Sequence, residues 1–145
     1  MKTILLIATF FSICLQPSQA QWVQGENIPE GIRAGNAISH VENDTGYLYL
    51  MGGRNQDSDL SLKNYRYNLN DDSWETMADV PTEPLGSSGV KIDNDSFIIG
   101  GGIPGGATRN VHKYSIPNNS WSRVSDFPRI HADGDAVKYQ DSLIY

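Results

Sequence analysis

Three histidines, several acidic turns and one glycine-rich loop are the features of this chain that could in principle do chemistry. His40, His112 and His131 are the only imidazoles, and no two share a local spacing that would bring them to one metal ion. Asp57-Ser58-Asp59 and Asp93-Asn94-Asp95 lack the twelve-residue calcium-loop pattern with its terminal Glu, and read as turns. Gly100-Gly101-Gly102-Ile103-Pro104-Gly105 has the G-x-G-x-x-G spacing. A dinucleotide site needs a helix to open there, and Pro104 with Gly105-Gly106 opposes one. Ser87-Ser88-Gly89 lacks the flanks of a nucleophile elbow. No metal and no cofactor are therefore expected. The net charge of −6 argues against a nucleic-acid surface, which needs clustered Lys and Arg.

The elements around these residues begin with an address. Lys2 precedes an apolar run over residues 4–15, then Pro17 and small residues Ser18 and Ala20. This is the layout of a secretory signal peptide over residues 1–20, cut before Gln21. Twelve apolar residues fall short of the roughly 20 a transmembrane helix needs. Export to the periplasm, the cell surface or the medium is expected. Cleavage removes Lys2 and the only cysteine, Cys14, and takes the formal charge to −7.

The remainder repeats. Trp22, Trp74 and Trp121 are 52 and 47 residues apart, and each is followed at seven residues by Pro29, Pro81 or Pro128. Tyr67 and Tyr114 precede the second and third Trp by seven. Upstream, residues 47–51 run into Gly52-Gly53, and residues 97–99 into Gly100-Gly101. A third apolar run begins at Leu143. A period near 47–50 with a glycine pair, a Tyr and then a Trp resembles the kelch repeat of β-propellers.

That resemblance implies an all-β fold of four-stranded antiparallel blades. The periodicity itself places strands near 37–41, 47–51, 64–67 and 74–77 in a first full blade over 35–79. A second, over 87–126, has strands near 89–92, 96–99, 110–114 and 121–124. Residues 135–145 start a third blade, and residues 21–26, with Trp22, read as a closing strand. About two and a half blades are thus present in 21–145. Closed propellers typically have 4–8, so the chain reads as an N-terminal fragment whose remaining blades are expected elsewhere in the same polypeptide. Gly52, Gly53, Tyr67, Trp74, Gly100, Gly101, Tyr114, Trp121 and Trp22 are then scaffold. The glycines end strands where backbones approach closely, and the aromatics fill blade-to-blade contacts. The three prolines stop the outer strands.

In such a blade the loop after the second strand and the loop entering the next blade emerge on one face. That face would carry Arg33, Arg54, Asn55, Asp57, Glu83, Arg109, Asn110, Arg129 and His131. Four of the ten basic residues left after cleavage lie there, in an otherwise acidic chain. Guanidinium groups suit carboxylates. The expected activity is binding of a protein or glycan ligand, an acidic one on this argument. The alternative implied by the resemblance is a secreted carbohydrate-active propeller, similar to sialic-acid mutarotases and less so to copper-dependent galactose oxidases. Asn43, Asn94 and Asn118 head N-x-S/T triplets at expected turns.

Overall fold

A computed structural model describes residues 22–81, 85–94, 96–102 and 108–144. The expected signal peptide, Gln21, Glu83, the 103–107 portion of the glycine-rich loop and Tyr145 lie outside the described residues.

The strands are β1 Asn36–Glu42, β2 Thr45–Arg54, β3 Leu60–Asn68, β4 Ser73–Met77, β5 Ser87–Lys91, β6 Ser96–Gly101, β7 Val111–Ser115, β8 Ser120–Arg123, β9 Val137–Tyr139 and β10 Ser142–Ile144. They form two four-stranded antiparallel sheets, β1-β2-β3-β4 and β5-β6-β7-β8, and the pair β9-β10. These are the two full blades and the start of a third. Residues 22–26 pair with no strand among the described residues, and Trp22 is fully exposed.

Local chemistry explains the hairpins. Asn43 and Asp44 adopt φ of 48° and 62°, the left-handed pair that a two-residue turn between twisted strands requires. In β1, Asn36, Ile38 and His40 are buried, while Ala37, Ser39 and Val41 are exposed, the period-two pattern of a strand with one covered face.

Two expectations are corrected. The glycines do not end β2. It continues to Arg54 through a register shift between Met51 and Gly53, where Gly52 and Gly53 have φ of 58° and 112°. The matching pair in the second sheet is Gly101-Gly102, with φ of 76° and 102°, and not Gly100-Gly101. Sequence alignment of the glycine runs was ambiguous because three stand in a row; backbone handedness decides it. Nor do the prolines stop the outer strands, for β4 and β8 end at Met77 and Arg123, well before Pro81 and Pro128. Instead, Val80 and Phe127, the residues just before them, donate the last backbone bonds to Leu62 and Arg109.

The core lies between the blades. Tyr49, Met51, Met77, Val80 and Ile38 of the first pack against Phe97, Tyr114 and Ile116 of the second. Tyr49 meets Phe97 and Tyr114 edge-on at 5.2 and 5.9 Å, and Phe97 stacks on Tyr114 at 4.8 Å. Such contacts add about 0.5–1.5 kcal/mol each beyond area burial.

A repeated clamp sets the stagger of successive blades. The Tyr114 hydroxyl donates to Asn119 Oδ1 (2.6 Å), which also accepts from the Ala78 backbone N–H (2.8 Å). Trp121 Nε1 donates to the Ala78 carbonyl (2.9 Å). In the first blade, Tyr67 donates to Asp72 Oδ1, which accepts from the Glu26 N–H (2.6 Å), and Trp74 Nε1 donates to the Glu26 carbonyl (3.0 Å). Asp72 and Asn119 both stand two residues before their Trp, at φ of 49° and 44°. Glu26 and Ala78 both stand four residues after Trp22 and Trp74.

Candidate functional site

The antiparallel order β1 to β4 sends the β2–β3 loop and the linkers between blades to one end. Arg33, Arg129 and His131 lie in linkers, Asn55 in the β2–β3 loop and Arg109 in the matching β6–β7 loop, while Arg54 is the last residue of β2 at that end. The structure joins some of them directly. Arg33 and Arg54 form an isolated antiparallel bridge, each N–H bonded to the other's carbonyl at 2.9 Å. Gly53 makes this approach possible, since a Cβ there would sit 2.5 Å from the Arg33 carbonyl oxygen.

The β2–β3 loop is internally tied. Asn55 Oδ1 accepts from the backbone N–H groups of Asp57 and Asp59 at 3.1 and 2.9 Å. Ser58 stands at φ of 70° within this turn. Arg33 Nη2 donates to Ser58 Oγ (2.9 Å), and Arg54 Nη1 to the Ser58 carbonyl (2.5 Å). Beside them lies a shallow cavity of about 250 Å³ lined by Gly31, Ile32, Arg33, Arg54, Asn55 and Gln56.

The remaining expected residues do other work. Arg109 Nε donates to the Phe127 carbonyl (2.6 Å), tying the loop before β7 to the linker after β8. His131 is half-buried and bridges Thr108; its Nε2 lies 2.6 Å from Ser88 Oγ, and its ring meets Phe127 edge-on. These partners all belong to the second blade and the segments that flank it. Arg129 is exposed. Sequence reasoning missed Ser58, whose turn position carried no charge signal, and it missed Asp72 and Asn119, which share no residue type that a repeat pattern would show.

The other histidines are structural. His40 lies on β1, its Nδ1 3.1 Å from Lys91 Nζ on β5. His112 lies on β7, where burial pushes its pKa down, helped by the nearby Arg123. Burial also pushes the Tyr49 and Tyr114 hydroxyls up. No three His, Cys, Asp or Glu side chains cluster as metal ligands among the described residues.

No protein-family model matches the chain. It is 24% identical over 132 residues to Kelch-like protein 41b of Danio rerio, a match covering 90% of this chain and 21% of that protein. It is 27% identical to Kelch-like protein terF of Aspergillus terreus, over 95% of this chain and 31% of the relative. With the N-acetylneuraminate epimerase of Haemophilus influenzae, identity is 33% over 97 residues, covering 63% of this chain and 25% of the relative. The chain thus spans a fifth to a third of the length of these relatives. Among solved structures, that of YjhT superposes with a TM-score of 0.61 at 22% identity, covering 80% of this chain and 35% of that one, a likeness of fold.

Proposed function

Since the chain belongs to the kelch-repeat proteins, we propose that it is an interaction module that offers the loop end of its blades to a protein or glycan ligand. One observation supports this reading: Arg33, Asn55, Arg109 and Arg129, on loops and linkers, and Arg54, at the end of β2, lie at one end of the sheets, where backbone bonds brace the segments to the blades. Binding groups on loops held by a rigid scaffold are a common division of labour. Residues 1–20 would direct the protein out of the cytoplasm, and N-terminal sequencing of the secreted form should then begin at Gln21.

Peptide and glycan arrays probed with the full chain test the module. Arg129→Glu at the loop end should weaken whatever binds, while Glu42→Gln at the opposite end of β1 should not. Equal loss from Glu42→Gln, or none from the loop-end change, would move the binding face elsewhere.

The 33% identity to an N-acetylneuraminate epimerase favours a second reading, a carbohydrate-active propeller. Addition of the full chain to N-acetylneuraminate, with anomer exchange followed by NMR, decides it: unchanged exchange rates remove the catalytic reading.

A further inference from the structure

We infer that the cavity beside Arg33 and Arg54 is a receptor for a single carboxylate group, a conclusion that rests on the loop-end reading and names the chemistry of its ligand. The two arginines are directly opposed across an antiparallel bridge, so their side chains leave the same face. Like charges in that relation destabilise a strand pair unless something compensates. Neither guanidinium makes a salt bridge with a carboxylate among the described residues; the compensation they find is one hydroxyl and one carbonyl, both of Ser58. Among the described residues no carboxylate stands at ion-pair distance from either guanidinium, and Asp57 and Asp59, which flank Ser58, are the acidic groups of the same turn.

The groups left over are mostly donors. A guanidinium has five N–H donors and no acceptor, and each of these spends one on Ser58. Asn55 also lines the cavity, and its acceptor oxygen is already taken by two backbone N–H groups, which leaves its amide N–H₂. A ligand entering here meets donors from Arg33, Arg54 and Asn55, with the Ile32 side chain as the apolar contact and the Gln56 amide beside them. An acceptor-only group with a planar fork answers that set, and guanidinium–carboxylate pairing is bidentate and charge-assisted. The volume of about 250 Å³ suits a carboxylate with the first few atoms that bear it, on a sugar acid or on an acidic side chain of a peptide.

The test pairs each carboxylate probe with its neutral counterpart on the full chain. Glucuronate is titrated against glucose, and a short Glu-containing peptide against the same peptide with Gln, with binding followed by NMR shifts. Wild type should bind at least one acid about tenfold or more tighter than its neutral partner, and the gap should shrink with added salt. The acid that shows it tells a sugar source from a protein one. Arg33→Gln with Arg54→Gln should erase the preference in a chain whose circular dichroism is unchanged. Arg54→Lys, which keeps charge and loses the fork, should retain only part of it. Equal binding of acid and neutral probes by the wild type overturns the inference, as does a preference that survives in the double variant. If an array ligand responds to Arg129→Glu but not to the double variant, the carboxylate site falls and the loop-end module stands. Indifference of that ligand to every loop-end change defeats both.

Discussion

The clamp around Asn119 makes a sharp energetic prediction. Its Oδ1 takes the hydroxyl proton of Tyr114, a side chain with 0% exposure, and the N–H of Ala78 from the preceding blade. Asn119→Ala strips both bonds. A buried hydroxyl left without an acceptor costs about 1–3 kcal/mol, and the lost bond to Ala78 about 1 more. The position also has φ of 44°, where an alanine costs about 1–2 kcal/mol. The variant should therefore lose about 3–6 kcal/mol. Tyr114→Phe removes donor and penalty together and should lose only about 1 kcal/mol. Asn119→Asp keeps the acceptor, as Asp72 does in the first blade, and should stay within about 1 kcal/mol. Urea unfolding followed by tryptophan fluorescence reads these differences as midpoint shifts, on the order of 2 M for the alanine variant. Combining Tyr114→Phe with Asn119→Ala should cost less than the sum of the two. An Asn119→Ala cost no larger than that of Tyr114→Phe, or an Asn119→Asp cost as large as that of Asn119→Ala, would refute the assignment.

Other perturbations follow from the same coordinates. Gly53→Ala places a Cβ 2.5 Å from the Arg33 carbonyl at a φ of 112° and should cost about 3 kcal/mol or more in thermal unfolding. Gly46→Ala, whose nearest neighbour would be the Leu69 side chain at 3.4 Å, should be tolerated within about 1 kcal/mol. Burial holds the folded pKa of His112 below its ordinary 6.5, so the unfolded chain takes up the proton first. That share of stability is present above 6.5 and is lost as pH falls through the folded value; His112→Gln should flatten the decline between pH 7 and 5 in a denaturation series. Asp72 is held below its ordinary 3.8, first by the Tyr67 hydroxyl and then by the Glu26 N–H. Its stabilisation is complete above 3.8 and fades below it, and Asp72→Asn, which imitates Asn119, should remove that part of the acid limb.

The repeat was legible because its spacings are covalent. Trp74 and Trp121, each seven residues after a Tyr, lie where a blade needs large rings, and the structure packs Tyr67 on Trp74 at 4.9 Å and Tyr114 on Trp121 at 4.8 Å. The end of the sheets that carries the arginines was legible for the same reason, since strand order fixes which loops share an end. What periodicity could not convey was partnership at a distance. Nothing in the composition of the 55–59 turn singles out Ser58 as the residue both arginines would reach. His131 looked like a loop group, yet it pairs with Ser88, 43 residues away. Asp72 and Asn119 share no residue type, so the repeat does not mark them. Their common role appears only once each is seen to hold the backbone of the preceding segment.

That clamp and the arginine pair belong to one continuous device. Strands in a sheet rotate by roughly 20–25° from neighbour to neighbour, so an outer strand stands far from parallel to the inner one. The end of β4 is thereby swung toward the outer turn of the next blade, where Ala78 meets Asn119 and Trp121. In the preceding segment Glu26 meets Asp72 and Trp74 in the same way. From Glu26 the chain must return to the inner edge at β1, and it is fastened as it goes. Glu30 accepts from Ser61 Oγ at 2.8 Å, and Arg33 exchanges backbone bonds with Arg54. Each fastening reaches the first blade, so the linker has little freedom left when it arrives at the cavity. The entropy of ordering Arg33 beside Arg54 is met by folding and not by ligand, which is the condition under which two weakly solvated guanidinium groups bind an anion well. Loss of the Asp72 acceptor, at the far end of that linker, should therefore loosen Arg33 as well as the blade contact. Carboxylate affinity would then fall in Asp72→Ala although no cavity-lining residue has changed, and an affinity that stays at the wild-type value would separate the two halves of the device.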